Sequence, residues 1–200
     1  MDKSPSRNVL GGALWINLAN TVRMREHQVT DMLEEPGYLD EWLRDNELHG
    51  LSNTGGAAFS APPEDLLPEL LRLRGVCRLV LEDVDHDGTL SEEAFAAIRA
   101  EASRLDVALR AERDAQGLPH LITYGQTAVQ DVLYPIVRSM FETLASVSLD
   151  RIRICEHDDC ILHFVDTSKS GKRRWCSMET CGNRHKAAEF YAKKKQQRGN

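Results

Sequence analysis

Leu66, Leu70, Leu73, Cys77, Val80 and Val84 recur at alternating intervals of four and three, which is one stripe of an amphipathic helix. Leu67, Leu71 and Leu81 widen the stripe, so the pattern predicts a deeply buried helix over 66–84. A second match over 91–113 runs through Phe95, Ile98, Ala102, Leu105 and Leu109, and Ser91 with Glu93 suits a helix start, which predicts a helical pair. A third stretch, 126–148, carries Val129, Leu133, Ile136, Met140, Leu144 and Val147; Pro135 within it predicts a kink or a fresh helix start. A shorter helix is expected within 30–48 around Tyr38, Trp42 and Leu43, entered through Pro36 and Gly37. The Gly-, Ala-, Ser- and Pro-rich stretch 50–63 reads as a flexible loop.

Strand signals are sparse: 121–124, 151–154 and 161–165. The last two flank Cys155 and Cys160, the first half of a C-x4-C, 15-residue gap, C-x4-C arrangement completed by Cys176 and Cys181. Two thiolates on one tight turn share a tetrahedral ion, and the gap lets the chain return with the second pair, so the spacing predicts one structural Zn2+. Two disulfides are the alternative. Residues 1–7 are polar and 11–19 are too short and broken for a signal core, so a reducing, cytoplasmic location is expected. Knuckle, hairpin and a breaker-free helix over 183–197 make a treble-clef-like zinc finger with four cysteine ligands. Cys77 lies on the apolar stripe and reads as core.

Charge divides the chain. Its net charge is −6, yet residues 1–150 hold 13 Lys and Arg against 25 Asp and Glu, whereas 151–200 hold 12 against 6. Zinc on four thiolates leaves the small segment at about +4. An acidic body carrying a basic zinc module points the module alone at a polyanion. Lys169, Lys172, Arg173 and Arg174 form a dense loop, and Arg184, Lys186, Lys193, Lys194, Lys195 and Arg198 load the final helix. Some of these cations serve the bland role of neutralising thiolates or pairing with Asp166; phosphate contact is the functional reading. Phe190 and Tyr191 read as core packed over the knuckle, Trp175 as a wall of the same mini-core, Gly182 as a tight turn after the ligand and Asn183 as a helix cap.

The stretch from Cys155 to Lys195 resembles the CGNR zinc finger, named for Cys181-Gly182-Asn183-Arg184, through Asp166-Thr167-Ser168, Arg173-Arg174-Trp175-Cys176-Ser177 and Lys186. The front of the chain is similar, more loosely, to the ABATE domain that precedes this finger, through Leu18-Ala19-Asn20-Thr21 and Tyr38-Leu39-Asp40-Glu41-Trp42-Leu43. The resemblance implies a bacterial, stress-induced transcription regulator with zinc on the four cysteines and DNA as the finger's partner. His163 departs from the family pattern, where an apolar or aromatic residue is more usual.

Two other features compete for a function. Asp83 to Ser91 matches the first nine positions of an EF-hand loop, but Ala94 stands where the bidentate Glu belongs, so Ca2+ is not expected. Asn20 and Thr21 are polar residues in an apolar segment and are candidates for binding a small molecule, or for capping. No catalytic grouping stands out, and an enzyme is not expected. The expected architecture is α+β: a mainly helical domain over 1–149 with a few strands, sensing a ligand or mediating a homodimer, and a zinc finger over 150–200 that contacts DNA through Lys172, Arg173, Arg174, Arg184 and Lys186. The rival is a zinc-stapled module that docks an acidic protein. A third class, a metal-dependent nuclease, lacks a second histidine-rich site. No apolar run is long enough for a membrane span.

Overall fold

The computed structural model describes residues 6–48 and 61–198, with side chains to residue 195. The predicted loop over 50–63 lies almost wholly outside the described residues. In chain order the elements are α1 (Leu14–Ala19), β1 (Val22–Arg25), β2 (Gln28–Asp31), α2 (Tyr38–Asp45), α3 (Pro63–Asp87), α4 (Glu92–Ser103), β3 (Val107–Arg113), β4 (Pro119–Gly125), α5 (Ala128–Ser146), β5 (Ile152–Ile154), β6 (His163–Val165) and α6 (Asn183–Arg198). The strands form three separate two-stranded antiparallel ribbons.

The predicted stripe is the spine of the fold. Leu66, Leu70, Leu73, Cys77, Val80 and Val84 are all buried on α3, which begins with Pro63 at its first turn and closes on Gly88 in the left-handed region (φ 65). Trp15, Ile16 and Leu18 of α1, Trp42 of α2, Ile98 of α4 and Ile136 and Met140 of α5 pack around it. Burial of the Cys77 thiol among them pushes its pKa far up, so it stays a neutral core group.

Three expectations change. The helix expected over 91–113 stops at Ser103, and Leu109 instead lies on β3 with 62% exposure. Residues 107–113 also alternate strictly in exposure, and pairing with β4 through the turn closed by Gly117 (φ 80) wins over the helical match. α5 runs through Pro135 as one helix. The stretch 30–48 opens as strand β2, paired with β1, before α2 begins after Gly37 (φ 77). This first ribbon turns on Glu26 and His27, both in the left-handed region.

Candidate zinc centre and nucleic-acid interface

The segment that carries the four cysteines joins the body through β5 and β6. Ile152 and Val165 belong to the main core, and Val165 N donates to Gly11 O at 2.9 Å. Asn20, at the end of α1, clasps the backbone of His163 in both directions: Nδ2 donates to its carbonyl (2.8 Å) and Oδ1 accepts from its N–H (2.9 Å). The His163 ring reaches back to Asp85 on α3, Nε2 to Oδ2 at 2.7 Å. Thr21 is buried, donates to Leu18 O (2.8 Å) and accepts from Arg74 (2.9 Å), which also pairs with Asp31. Asn20 lines a cleft of about 240 Å³ at this seam, but both its polar atoms are committed to His163. These contacts occupy Asn20 and Thr21 as structural pins, in keeping with the alternative to ligand contact that their positions offered.

The four cysteines converge. Cys155 follows β5, Cys160 lies on the knuckle between β5 and β6, and Cys176 and Cys181 flank Ser177, whose Oγ accepts from Thr180 N and whose carbonyl accepts from Gly182 N. Their Sγ atoms all lie within 4.8 Å of one another, with Cys160 to Cys176 at 3.8 Å and Cys176 to Cys181 at 3.7 Å. Zinc–sulfur bonds of about 2.3 Å in a tetrahedron imply a sulfur–sulfur edge of about 3.8 Å, so the donor set fits Zn2+. No coordination position is left for water, and the chain carries one structural zinc. Left to themselves the thiols cannot all ionise. Hydrogen bonds from Cys155, Cys160 and Cys176, with help from Arg184, hold Cys181 well down, whereas those with Cys155, Cys160 and Cys181 push Cys176 far up. A divalent cation resolves that conflict.

Around the cysteines, Leu10, Leu162 and Phe164 form a second small core with Trp175 against it. A Cβ on Gly182 would lie 2.5 Å from Met178 Sδ, the end of an exposed flexible side chain that can move aside, and 3.1 Å from Trp175, so glycine eases packing here and no special φ calls for it. Asn183 is not the helix cap: its Nδ2 donates to Glu179 O (3.2 Å), and Ser177 caps the turn. Asp166 is buried and accepts from Ser168 N and Arg173 N, both at 2.9 Å. Burial opposes its ionisation, but these bonds and nearby Arg151 win and hold its pKa below the usual carboxylate range.

The five expected DNA contacts part company. Arg173 is engaged as a loop staple: Nε donates to Trp175 O (2.8 Å), Nη2 to Cys176 O, and the guanidinium lies 4.5 Å from the Phe164 ring centroid. Arg174 points outward over Trp175 and pairs with Glu156 at 2.5 Å. Arg184 sits 3.7 Å from both Cys181 Sγ and Asp159. Lys172 and Lys186 are exposed and make no hydrogen bond or ion pair among the described residues. A further correction concerns α6, whose residues 186–195 are all exposed: Phe190 (61%) and Tyr191 (68%) cover nothing and stack edge to face on each other at 5.8 Å. The helix is anchored by its first turn, where His185 lies against Trp175 (4.7 Å), and projects from there with Lys193, Lys194 and Lys195 in solvent.

Asp83, Asp85 and Asp87 lie in the last turns of α3, with Asp83 accepting from Ser91 N (2.7 Å) and Asp85 bound to His163. Among the described residues, the four cysteines are the only cluster of metal-ligating side chains, and no helix is long and apolar enough to cross a membrane.

Comparison with known families gives two matches. Residues 12–147 match the ABATE family, described as "Putative stress-induced transcription regulator", and residues 151–194 match the CGNR zinc finger. A search of curated proteins finds no match to the chain.

Proposed function

Because the chain belongs to the ABATE family and ends in a CGNR zinc finger, we propose that it is a zinc-stapled transcription regulator whose finger binds duplex DNA. One observation carries this reading: a net positive module with unpaired lysines on a projecting helix sits on a body of opposite charge. Attraction of the whole chain to a polyanion would be spread over its surface, but here the body is repelled and only the finger is drawn in, which orients the encounter. Lys172, Lys186, Lys193, Lys194 and Lys195 are the phosphate contacts, and Arg174 joins them by exchanging Glu156 for phosphate. Zinc takes no part in chemistry; it fixes the turn from which α6 departs.

The test is a salt titration of duplex binding by fluorescence anisotropy. Six cationic contacts predict a slope of log K against log salt of about −5 to −6, and Lys193→Ala with Lys194→Ala and Lys195→Ala should reduce it to about −3. Absence of duplex binding at low salt sinks the reading, and salt-sensitive binding to an acidic protein in its place would favour the docking alternative. The proposal also makes the chain a regulator and not an enzyme; cutting of duplex DNA on addition of divalent metal would replace it with a nuclease.

A further inference from the structure

Arg23 on β1 is 8% exposed, and no carboxylate lies within ion-pairing distance of it among the described residues. Its Nη2 donates to Asn8 Oδ1 (3.0 Å) and to Tyr38 Oη, while its Nε is enclosed with no partner at all. Those partners are neutral. Burial pushes the Tyr38 hydroxyl up to about 12, so it keeps its proton and donates it to Asn8 Oδ1 at 2.5 Å. The guanidinium is therefore held in place without being neutralised. Burying a lone cation is costly, and such groups are found paired or facing a ligand.

Arg23 faces a cavity of about 360 Å³, and the side chains around it add charge of the same sign. Arg7 and Arg25 line it too, opposed by Glu41 alone; Arg25 makes a 3.7 Å contact with Glu35 outside, and Arg7 makes no hydrogen bond or ion pair among the described residues. Burial lowers the Arg23 pKa and Arg7 and Arg25 add to the effect, against Tyr38 and Glu41, which oppose it without cancelling it. Three arginines lining a concave site of this volume, Arg25 at its edge in contact with Glu35, beside a phenol and a carboxamide, offer the kind of donors that recognise phosphate.

We propose that this cavity is an anion site that binds a phosphate group. Arg23 and Arg7 also border a void of about 20 Å³ lined by Asp159, Cys160, Cys176, Cys181 and Arg184, but Arg23 bonds none of these groups: the guanidinium on sulfur is that of Arg184. The phosphate comes either from a phosphorylated small molecule or from a nucleic-acid backbone lying against the finger. This inference does not depend on the DNA reading.

The experiment uses the zinc-loaded full chain and inorganic phosphate, at ionic strength held constant with chloride, followed by calorimetry and thermal melting. Saturable phosphate binding is expected, with affinity lowered about tenfold or more in Arg7→Ala with Arg25→Ala, two exposed positions whose loss leaves the fold intact. Competition by duplex DNA, together with weaker duplex binding by that double variant, assigns the phosphate to a backbone; phosphate binding without competition assigns it to a small phosphate ester. A phosphate effect no larger than that of chloride, or one unchanged in the double variant, overturns the proposal. So does loss of zinc affinity in Arg23→Gln with no phosphate binding in the parent, since Arg23 would then serve the thiolates alone.

Discussion

Replacing Asn20 with alanine separates a pin from a ligand contact. Asn20 is 5% exposed, and its carboxamide satisfies the N–H and the carbonyl of His163 at 2.9 and 2.8 Å, on a strand that has only one neighbour. Asn20→Ala removes two hydrogen bonds, each worth about 0.5–1.5 kcal/mol net, and opens the two freed backbone groups to the adjoining cleft, so a total of about 1–3 kcal/mol follows. For a chain of this size that lowers Tm by roughly 2–12 °C. Thermal melting and urea unfolding read the loss, and hydrogen exchange should accelerate at the His163 amide before it does on α3. Asn20→Asp keeps an acceptor for the His163 N–H but turns a carboxylate oxygen toward its carbonyl, so it should be at least as damaging. A stability within about 0.5 kcal/mol of the parent for Asn20→Ala would refute the clasp and make Asn20 a candidate ligand contact again.

Arg173→Lys should destabilise the finger by about 1–3 kcal/mol and weaken zinc retention, because an ammonium can neither fork between the Trp175 and Cys176 carbonyls nor lie flat on Phe164; Lys172→Ala, measured alongside by urea unfolding, should change nothing. Phe190→Ala with Tyr191→Ala should leave the melting temperature within about 2 °C of the parent, since neither ring is buried; a large drop would mean that α6 packs against the chain. Asp166 has a folded pKa below its unfolded value, so its stabilisation is complete above the ordinary carboxylate pKa of about 4 and is lost as pH falls through the lower folded value. The stability gap between the parent and Asp166→Asn should therefore narrow in acid, and a gap that widens below about pH 4 contradicts the assignment.

What the sequence made legible was whatever local spacing controls. The cysteine set was readable because ligand spacing is a property of a few turns, and α3 was readable because a single stripe of period 3.6 runs its whole length. The first ribbon was not, since Glu26 and His27 adopt left-handed conformations without the Asn or Gly that announces such a turn. Leu105 and Leu109 matched a helical period by coincidence: Leu105 lies in the connection after α4, and pairing with β4 claims Leu109. Phe190 and Tyr191 look like core residues in any window of sequence; only the direction in which α6 leaves the zinc turn shows that nothing lies beneath them. Arg23 was equally silent. One arginine in Val-Arg-Met-Arg reads as a solvated strand face, and its isolation appears only when Asn8 and Tyr38, from elsewhere in the chain, close around it.

The claim that matters most is that zinc holds a DNA-binding cation array in shape. The most direct measurement is duplex affinity at low salt before chelation, after removal of zinc, and after return of one equivalent, with circular dichroism followed in parallel. The account predicts that binding is lost with the metal, while the helical signal of α1 to α5 persists, and that one equivalent restores it. Apo protein that binds duplex with the same affinity and the same salt slope would show that the lysines act without the staple, and the account would be wrong.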